Sequence, residues 1–168
     1  MPELKIRENL QPALLDRLID DDPAKKLESR ESQLINRTRL RQAVLRDLAW
    51  LFNTTRLGDL EEYPYADRSV INFGLPSLSG ETASTLDVLA LEGAIRNAII
   101  NFEPRIIPST LQVEALMPDI QLDHHSVISI QIRGNLWSQP VPIELLLRTE
   151  LDLETGTVEI RDLGKSGL

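Results

Sequence analysis

The residues of this chain best suited to chemistry are the opposite charges of Glu103 and Arg105, which flank Pro104. They follow a segment that is almost wholly apolar and precede a region where apolar and polar residues alternate. Because a residue before proline avoids the α conformation, we expect a helix to end near Glu103. The two ions can pair with each other or with the neighbouring loop at the end of that helix, or proline can fix them for recognition by another protein. The residue types alone favour local pairing.

Catalysis is not supported by the spacing of the reactive residues. A nucleophile and its base must lie close together, with a third group that orients the base. His124 and His125 are adjacent, so in an extended chain they point to opposite sides, and the chain has no cysteine. The 26 acidic residues single out no pair for glycoside hydrolysis, and none of the eight glycines lies in a phosphate-binding motif. We therefore expect no catalytic residue, no cofactor and no metal ligand.

The net charge of −8 is distributed unevenly over the 168 residues. Residues 30–56 carry six basic and two acidic side chains, whereas residues 57–168 carry seven basic and 17 acidic ones. An acidic body argues against nucleic acid as a partner, because phosphates require a broad basic surface. No apolar run approaches the roughly 18 residues of a membrane span, and the N-terminus lacks a signal-peptide pattern. We expect a cytoplasmic protein that does not insert into a membrane.

Residues 1–29 are predicted to form an N-terminal arm with a short amphipathic helix. Leu14, Leu15 and Leu18 recur at helical spacing, with Asp16 among them. Two interpretations remain open for this helix. It can dock on its own domain, or it can anchor the chain in the groove of a partner, as amphipathic helices often do.

The rest of the chain, residues 30–168, is predicted to be a single α+β domain. Apolar residues recur with helical period over residues 32–54 and 85–102, which predicts two main helices. The arginines on the first helix are expected to be solvated or paired in salt bridges. Residues 55–84 are rich in turn formers, yet their interspersed apolar side chains predict a loop that packs on the core.

The period changes to two residues after Pro108, which predicts three or four antiparallel strands. Gly156 is expected to supply the positive φ of the last hairpin. The two main helices would pack on this small sheet, with the helical arm appended. The last strand is expected to lie at a sheet edge, where it could accept a foreign strand.

Five segments in order resemble the TssE family, the small baseplate subunits of bacterial type VI secretion systems. This family includes the sheath-initiating baseplate wedge protein of contractile-tailed phages. The segments are LLDRL (14–18), LRDLAWLFNT (45–54), SVINFGLP (69–76, followed by Ser79-Gly80), INFEPRI (100–106) and LDLETGTV (151–158). Each is weak alone, but their order over nearly the whole chain is specific.

The resemblance implies a structural role. It implies contacts with the baseplate proteins TssF and TssG, extending to TssK, and with the first ring of TssB and TssC sheath subunits. Glu103, Pro104 and Arg105 would hold the joint between wedge and sheath, and Leu14, Leu15, Asp16 and Leu18 would anchor the arm on TssF or TssG. The protein would then lie in the cytoplasm at the baseplate docked on the inner membrane. The alternatives are a lysozyme-like peptidoglycan hydrolase and a generic protein-interaction adaptor.

Overall fold

The structure, a computed structural model, describes residues 13–18, 37–58, 60, 62–77, 87–116 and 127–164. In chain order the helices are α1 (Leu14–Leu18), α2 (Arg37–Phe52), α3 (Pro64–Asp67) and α4 (Val88–Phe102), with 3₁₀ turns at Val70–Asn72 and Pro108–Thr110. The strands are β1 (Gln112–Leu116), β2 (Val127–Leu136), β3 (Ile143–Asp152) and β4 (Val158–Asp162). The predicted α+β class, with a helical N-terminal segment, is confirmed.

The four strands form one antiparallel sheet in the order β1-β2-β3-β4. Strands β2 and β3 pair along their full length, with Ile132 opposite Leu147. The hairpin between β3 and β4 contains Gly156 at φ 70°, as predicted from the turn sequence. Strands β1 and β4 are therefore the two edges.

The core lies between the sheet and the two long helices. Buried residues alternate along β3, so one face of the sheet is packed and the other is open. Helix α2 contributes Val44 and Leu48, and α4 contributes Ile95 and Ile99, to a single apolar cluster with the inward residues of β2 and β3. The two helices thus cover one face of the sheet, which fixes where both of their C-terminal ends emerge.

The two main helices are confirmed, and α4 ends at Phe102 as predicted, but the end of α2 and the start of α4 differ from the prediction. Helix α2 ends at Phe52 and not at residue 54, because side chains take its last carbonyl groups. Asn53 Nδ2 donates to the Ala49 carbonyl, and Thr54 Oγ1 donates to the Trp50 carbonyl. Helix α4 begins at Val88, since the Asp87 side chain caps it. The predicted segments 32–36 and 85–86 lie outside the described residues.

The segment from residue 55 to residue 77 packs less on the core than the sequence predicted. Leu75 is buried, but several apolar side chains are exposed: Tyr63, Tyr65, Val70 and Ile71. The reason is that a polar group organises the turn. The buried Asn72 amide donates to the Gly58 carbonyl and to the Asp67 carboxylate, so the backbone is fixed without burying those side chains.

No helix in the described part of the chain is long and apolar enough to cross a membrane. The proposed boundary between arm and domain at residue 30 stays a prediction, because residues 19–36 lie outside the described ranges.

Candidate functional site

The Glu103-Pro104-Arg105 segment forms the junction between α4 and the sheet. Glu103 is the C-terminal cap of α4, and its N–H donates to the Ile99 carbonyl. Two residues later the backbone has joined the end of β2, because the Trp137 N–H donates to the Arg105 carbonyl at 2.8 Å. Pro104 lies exposed between them. The helix therefore ends where proline predicted.

Arg105 binds the carboxylate of Glu103 in a forked geometry. Its Nε donates to Oε1 of Glu103 at 2.6 Å, and its Nη2 donates to Oε2 at 2.5 Å. Glu103 is 3% exposed, so this ion pair is almost fully shielded on the acidic side. The pairing is within one chain, which is the arrangement that the residue types alone favoured.

A third group completes the environment of Arg105. Nη2 also donates to Oδ2 of Asp47 on α2, at 2.5 Å. Burial by itself would lower the pKa of Arg105, but the hydrogen bonds and charges of Glu103 and Asp47 outweigh it and raise that pKa above its ordinary value. Arg105 is thus a permanent cation that ties the end of α4 to the side of α2.

The same network extends to the N-terminal segment. Asp47 accepts a second hydrogen bond from Nε of Arg46 at 3.0 Å, and Nη1 of Arg46 donates to Oδ1 of Asp16 in α1 at 2.6 Å. The pKa of Arg46 is raised, first by its hydrogen bond to Asp16. We call these five alternating charges the ion chain: Asp16, Arg46, Asp47, Arg105 and Glu103. It brings together the two sites that the sequence predicted separately.

Arg46 and Asp47 are the members that sequence reasoning missed as site residues. Arg46 was predicted only to be solvated or salt-bridged, which is true but incomplete. A signal did exist, because both residues fall inside the LRDLAWLFNT segment of the family resemblance. Their place between the two predicted sites could not be read from that segment, since Asp47 and Arg105 are 58 positions apart.

The short helix α1 is docked through its polar side. Asp16 is largely buried against Arg46, whereas Leu14, Leu15 and Leu18 are 70%, 40% and 72% exposed. An amphipathic helix that belongs only to its own domain would turn these leucines inward. The arm therefore contacts its own domain and still presents its apolar stripe outward.

Both tryptophans of the chain lie beside the ion chain and are about half exposed. The guanidinium of Arg46 lies 5.2 Å from the ring centre of Trp50, a cation–π distance. Trp50 is 52% exposed and Trp137, bonded to Arg105 through its backbone, is 55% exposed. Tryptophan is enriched among residues that dominate protein interfaces. We call the exposed groups attached to the ion chain the joint surface: Leu14, Leu15, Leu18, Trp50, Pro104 and Trp137.

Each edge of the sheet is capped by a side chain that lies in a long helix or directly after one. At β4, the Asn53 amide donates to the Val158 carbonyl and accepts from the Val158 N–H, both at 2.9 Å. At β1, the Glu92 carboxylate accepts from the Ala115 N–H at 2.6 Å. The last strand is an edge, as predicted, but part of its backbone is already occupied.

Helix α2 is attached to β4 at a second point. Nε of Arg41 donates to Oδ2 of Asp162 at 2.6 Å, and its Nη1 donates to the Glu144 carbonyl. The hydrogen bond with Asp162 is the main reason that the pKa of Arg41 is raised. Asn53 and Arg41 therefore fix α2 to opposite ends of the same strand.

The described residues offer little for catalysis or metal binding. No group of three or more histidine or acidic side chains among them could hold a metal ion, and His124 and His125 lie outside the described ranges. An open groove of about 520 Å³ runs between α4 and the preceding segment. Its described lining contains one carboxylate, Asp67, which is already bonded to Asn72. Glycoside hydrolysis requires two.

A profile of the baseplate wedge protein gp25 family matches residues 38–141, more than half of the chain. This chain belongs to the baseplate wedge protein gp25 family. The family resemblance read from the sequence is confirmed, and the family gives the chain a structural role in a baseplate. The matched range holds all of α2 except Arg37, the Glu103-Pro104-Arg105 segment, β1 and β2, whereas α1 and the strands β3 and β4 fall outside it. No curated protein and no solved structure matches the chain.

Proposed function

We propose that this gp25-family chain is the baseplate subunit of a bacterial type VI secretion system. It binds the TssF and TssG wedge proteins, with TssK among its neighbours, and it initiates polymerisation of the TssB/TssC sheath. It acts in the cytoplasm, at the baseplate docked on the inner membrane. The family match and the five ordered sequence segments support this proposal.

The observation that carries the wedge contact is the joint surface around the ion chain. Three leucines and two tryptophans are exposed beside charges that are already paired with one another. Such a surface can bury apolar area without leaving a charged group unpaired, because the charges keep their partners on association. We infer that the wedge proteins cover the leucines of the arm and the aromatic rings next to the motif.

The sheath contact is proposed to form at an edge of the sheet. An added strand gains affinity from main-chain hydrogen bonds and specificity from alternate side chains. Both edges carry backbone groups that the sheet itself does not use, as the side-chain caps at Val158 and Ala115 demonstrate. A sheath subunit that supplies an extended segment could therefore replace a cap.

We propose a non-catalytic protein that needs no cofactor. A peptidoglycan hydrolase would need an accessible acid, but both oxygens of Glu103 are bound by Arg105 and the side chain is buried. The groove beside α4 supplies a single carboxylate among its described residues. These observations favour assembly over hydrolysis.

Co-purification with TssF and TssG from the same secretion system tests the wedge contact. We expect Trp137→Ala to reduce recovery of the complex roughly tenfold or more, since an exposed tryptophan at an interface is often a hot spot. Tyr65→Ala is the matched control, because Tyr65 is an exposed aromatic residue remote from the ion chain in sequence. It should change recovery by less than about twofold.

Both variants should melt close to the wild-type temperature, because neither ring is buried. Full recovery of the complex with Trp137→Ala would show that this ring is not part of the interface. Failure of the wild-type chain to co-purify with TssF and TssG would contradict the proposed function itself.

A further inference from the structure

Among the described residues, most of the outward backbone groups of strand β1 are available to a new strand. The Ala115 N–H points away from β2, because it donates to Glu92. Backbone direction alternates along an antiparallel strand, so Val113 also directs its N–H and C=O outward. Within the described part of the chain, no hydrogen bond is made by these Val113 groups or by the Ala115 carbonyl. Among the described residues, the Glu92 side chain is thus the only group that hydrogen-bonds to the outward backbone of this edge.

Strand β4 is more completely occupied. By the same alternation its outward positions are Val158, Ile160 and Asp162. Asn53 bonds both backbone groups of Val158, and Arg41 holds the side chain of Asp162. Ile160 lies between these two attachments of α2. A strand that approaches β4 therefore meets a helix fastened at both ends of the edge.

We propose that β1 is the edge that receives a strand of the sheath, and that Glu92 is the cap this strand displaces. This inference rests on the proposed function, in which a sheath subunit adds a strand to the sheet. Displacing Glu92 breaks one hydrogen bond and returns a carboxylate to water. Displacing Asn53 breaks two bonds and loosens α2 from β4. The carbonyl of the incoming strand takes the place of the Glu92 oxygen on Ala115.

The chemistry of β1 defines the segment that fits it. Val113 and Ala115 pack against the core, so the residues beside them in an added strand extend the same apolar layer. Glu114 alternates with them and is exposed. A lysine or arginine opposite Glu114 would form a favourable cross-strand pair. The occupant is an extended segment of alternating apolar and polar residues that carries a basic side chain.

A pair of proline variants separates the two edges. Val113→Pro removes an outward N–H of β1 and spares the ladder to β2, and Ile160→Pro is the equivalent change in β4. Binding is measured between the full chain and purified TssB–TssC sheath subunits. We expect Val113→Pro to weaken binding roughly tenfold or more and Ile160→Pro to change it less than about twofold. Glu92→Ala should strengthen binding about threefold, because no cap must be displaced.

Hydrogen exchange on the wild-type chain tests the edge without any substitution, in case a proline variant fails to fold. The Val113 amide should exchange more slowly in the sheath complex, whereas the Ile160 amide should not change. The reverse pattern in either experiment would overturn the assignment to β1. The wild-type chain could also bind the sheath subunits while neither proline variant weakens binding and neither amide is protected. That result would overturn the assignment to β1 but would not contradict the sheath contact. Absence of wild-type binding would refute the sheath contact of the proposed function.

Discussion

At the scale of single residues, Arg105 holds a structural position in the same place where the interface with the wedge is proposed. Its forked contact neutralises the buried Glu103, and Nη2, one of the two nitrogens in that fork, also donates to Asp47 at the side of α2. Removing one partner of a buried ion pair leaves the other charge uncompensated. A loss of assembly in an Arg105 variant therefore needs a separate measurement of stability before it can be assigned to the interface.

We expect Arg105→Ala to lower the free energy of unfolding by about 2–4 kcal/mol, because Glu103 then stays buried without a cation. The double variant Glu103→Ala/Arg105→Ala should be less destabilised than the sum of the two single variants, which a denaturant-based double-mutant cycle measures. Arg37→Ala, an exposed arginine on the same helix as Asp47, serves as control and should change stability by less than about 0.5 kcal/mol. Additive effects of the two motif substitutions would contradict the pairing.

The sequence predicted the position of Glu103 but not its surroundings. The proline that follows it marks the helix end, and this signal is local. The contact between Arg105 and Asp47 depends on how α4 and α2 cross, and no pattern within either segment encodes that crossing. For the same reason, the chain from Asp47 through Arg46 to Asp16 could not be derived from residue spacing.

At the scale of elements, Asn53 shows how the end of a helix organises a strand. Its amide forms both a donor and an acceptor bond with Val158, as a neighbouring strand would. The same side chain also takes the Ala49 carbonyl, which helps to end α2. Strands were predictable because alternation is a local signal, whereas this contact between elements was not.

We expect Asn53→Ala to lower the free energy of unfolding by about 1–3 kcal/mol, because it leaves both backbone groups of Val158 without their partner. Exchange of the Val158 amide should accelerate, and thermal unfolding should start at a lower temperature. Asn101→Ala is the control, since Asn101 is exposed on α4. Unchanged exchange at Val158 would mean that another group replaces the amide.

At the scale of the whole molecule, helix α1 of the arm contacts the domain through its polar side and exposes its apolar stripe. Only one pair of side chains, Asp16 and Arg46, joins α1 to α2 through an ion pair among the described residues. Fold class followed from the periodicity of the sequence. The orientation of α1 did not, because an apolar stripe ordinarily predicts an inward face.

We expect the triple variant Leu14→Ala/Leu15→Ala/Leu18→Ala to keep its stability within about 1 kcal/mol, since these side chains are largely exposed. Its affinity for the TssF–TssG complex should fall roughly tenfold or more, because the apolar anchors are gone. Calorimetric melting and titration measure the two effects separately. A variant that melts far below the wild type would show instead that the leucines belong to the core of this chain.

The side-chain caps on the sheet have a consequence for the timing of polymerisation. In a freely diffusing copy, Glu92 and Asn53 each occupy part of one sheet edge, so a strand that adds over these positions must first displace a side chain. Displacing a cap is a small penalty for subunits held side by side, where the effective concentration is high. It is a larger obstacle for subunits that meet at random. Under the proposed function, the two caps would delay nucleation until the baseplate has gathered its copies in a ring.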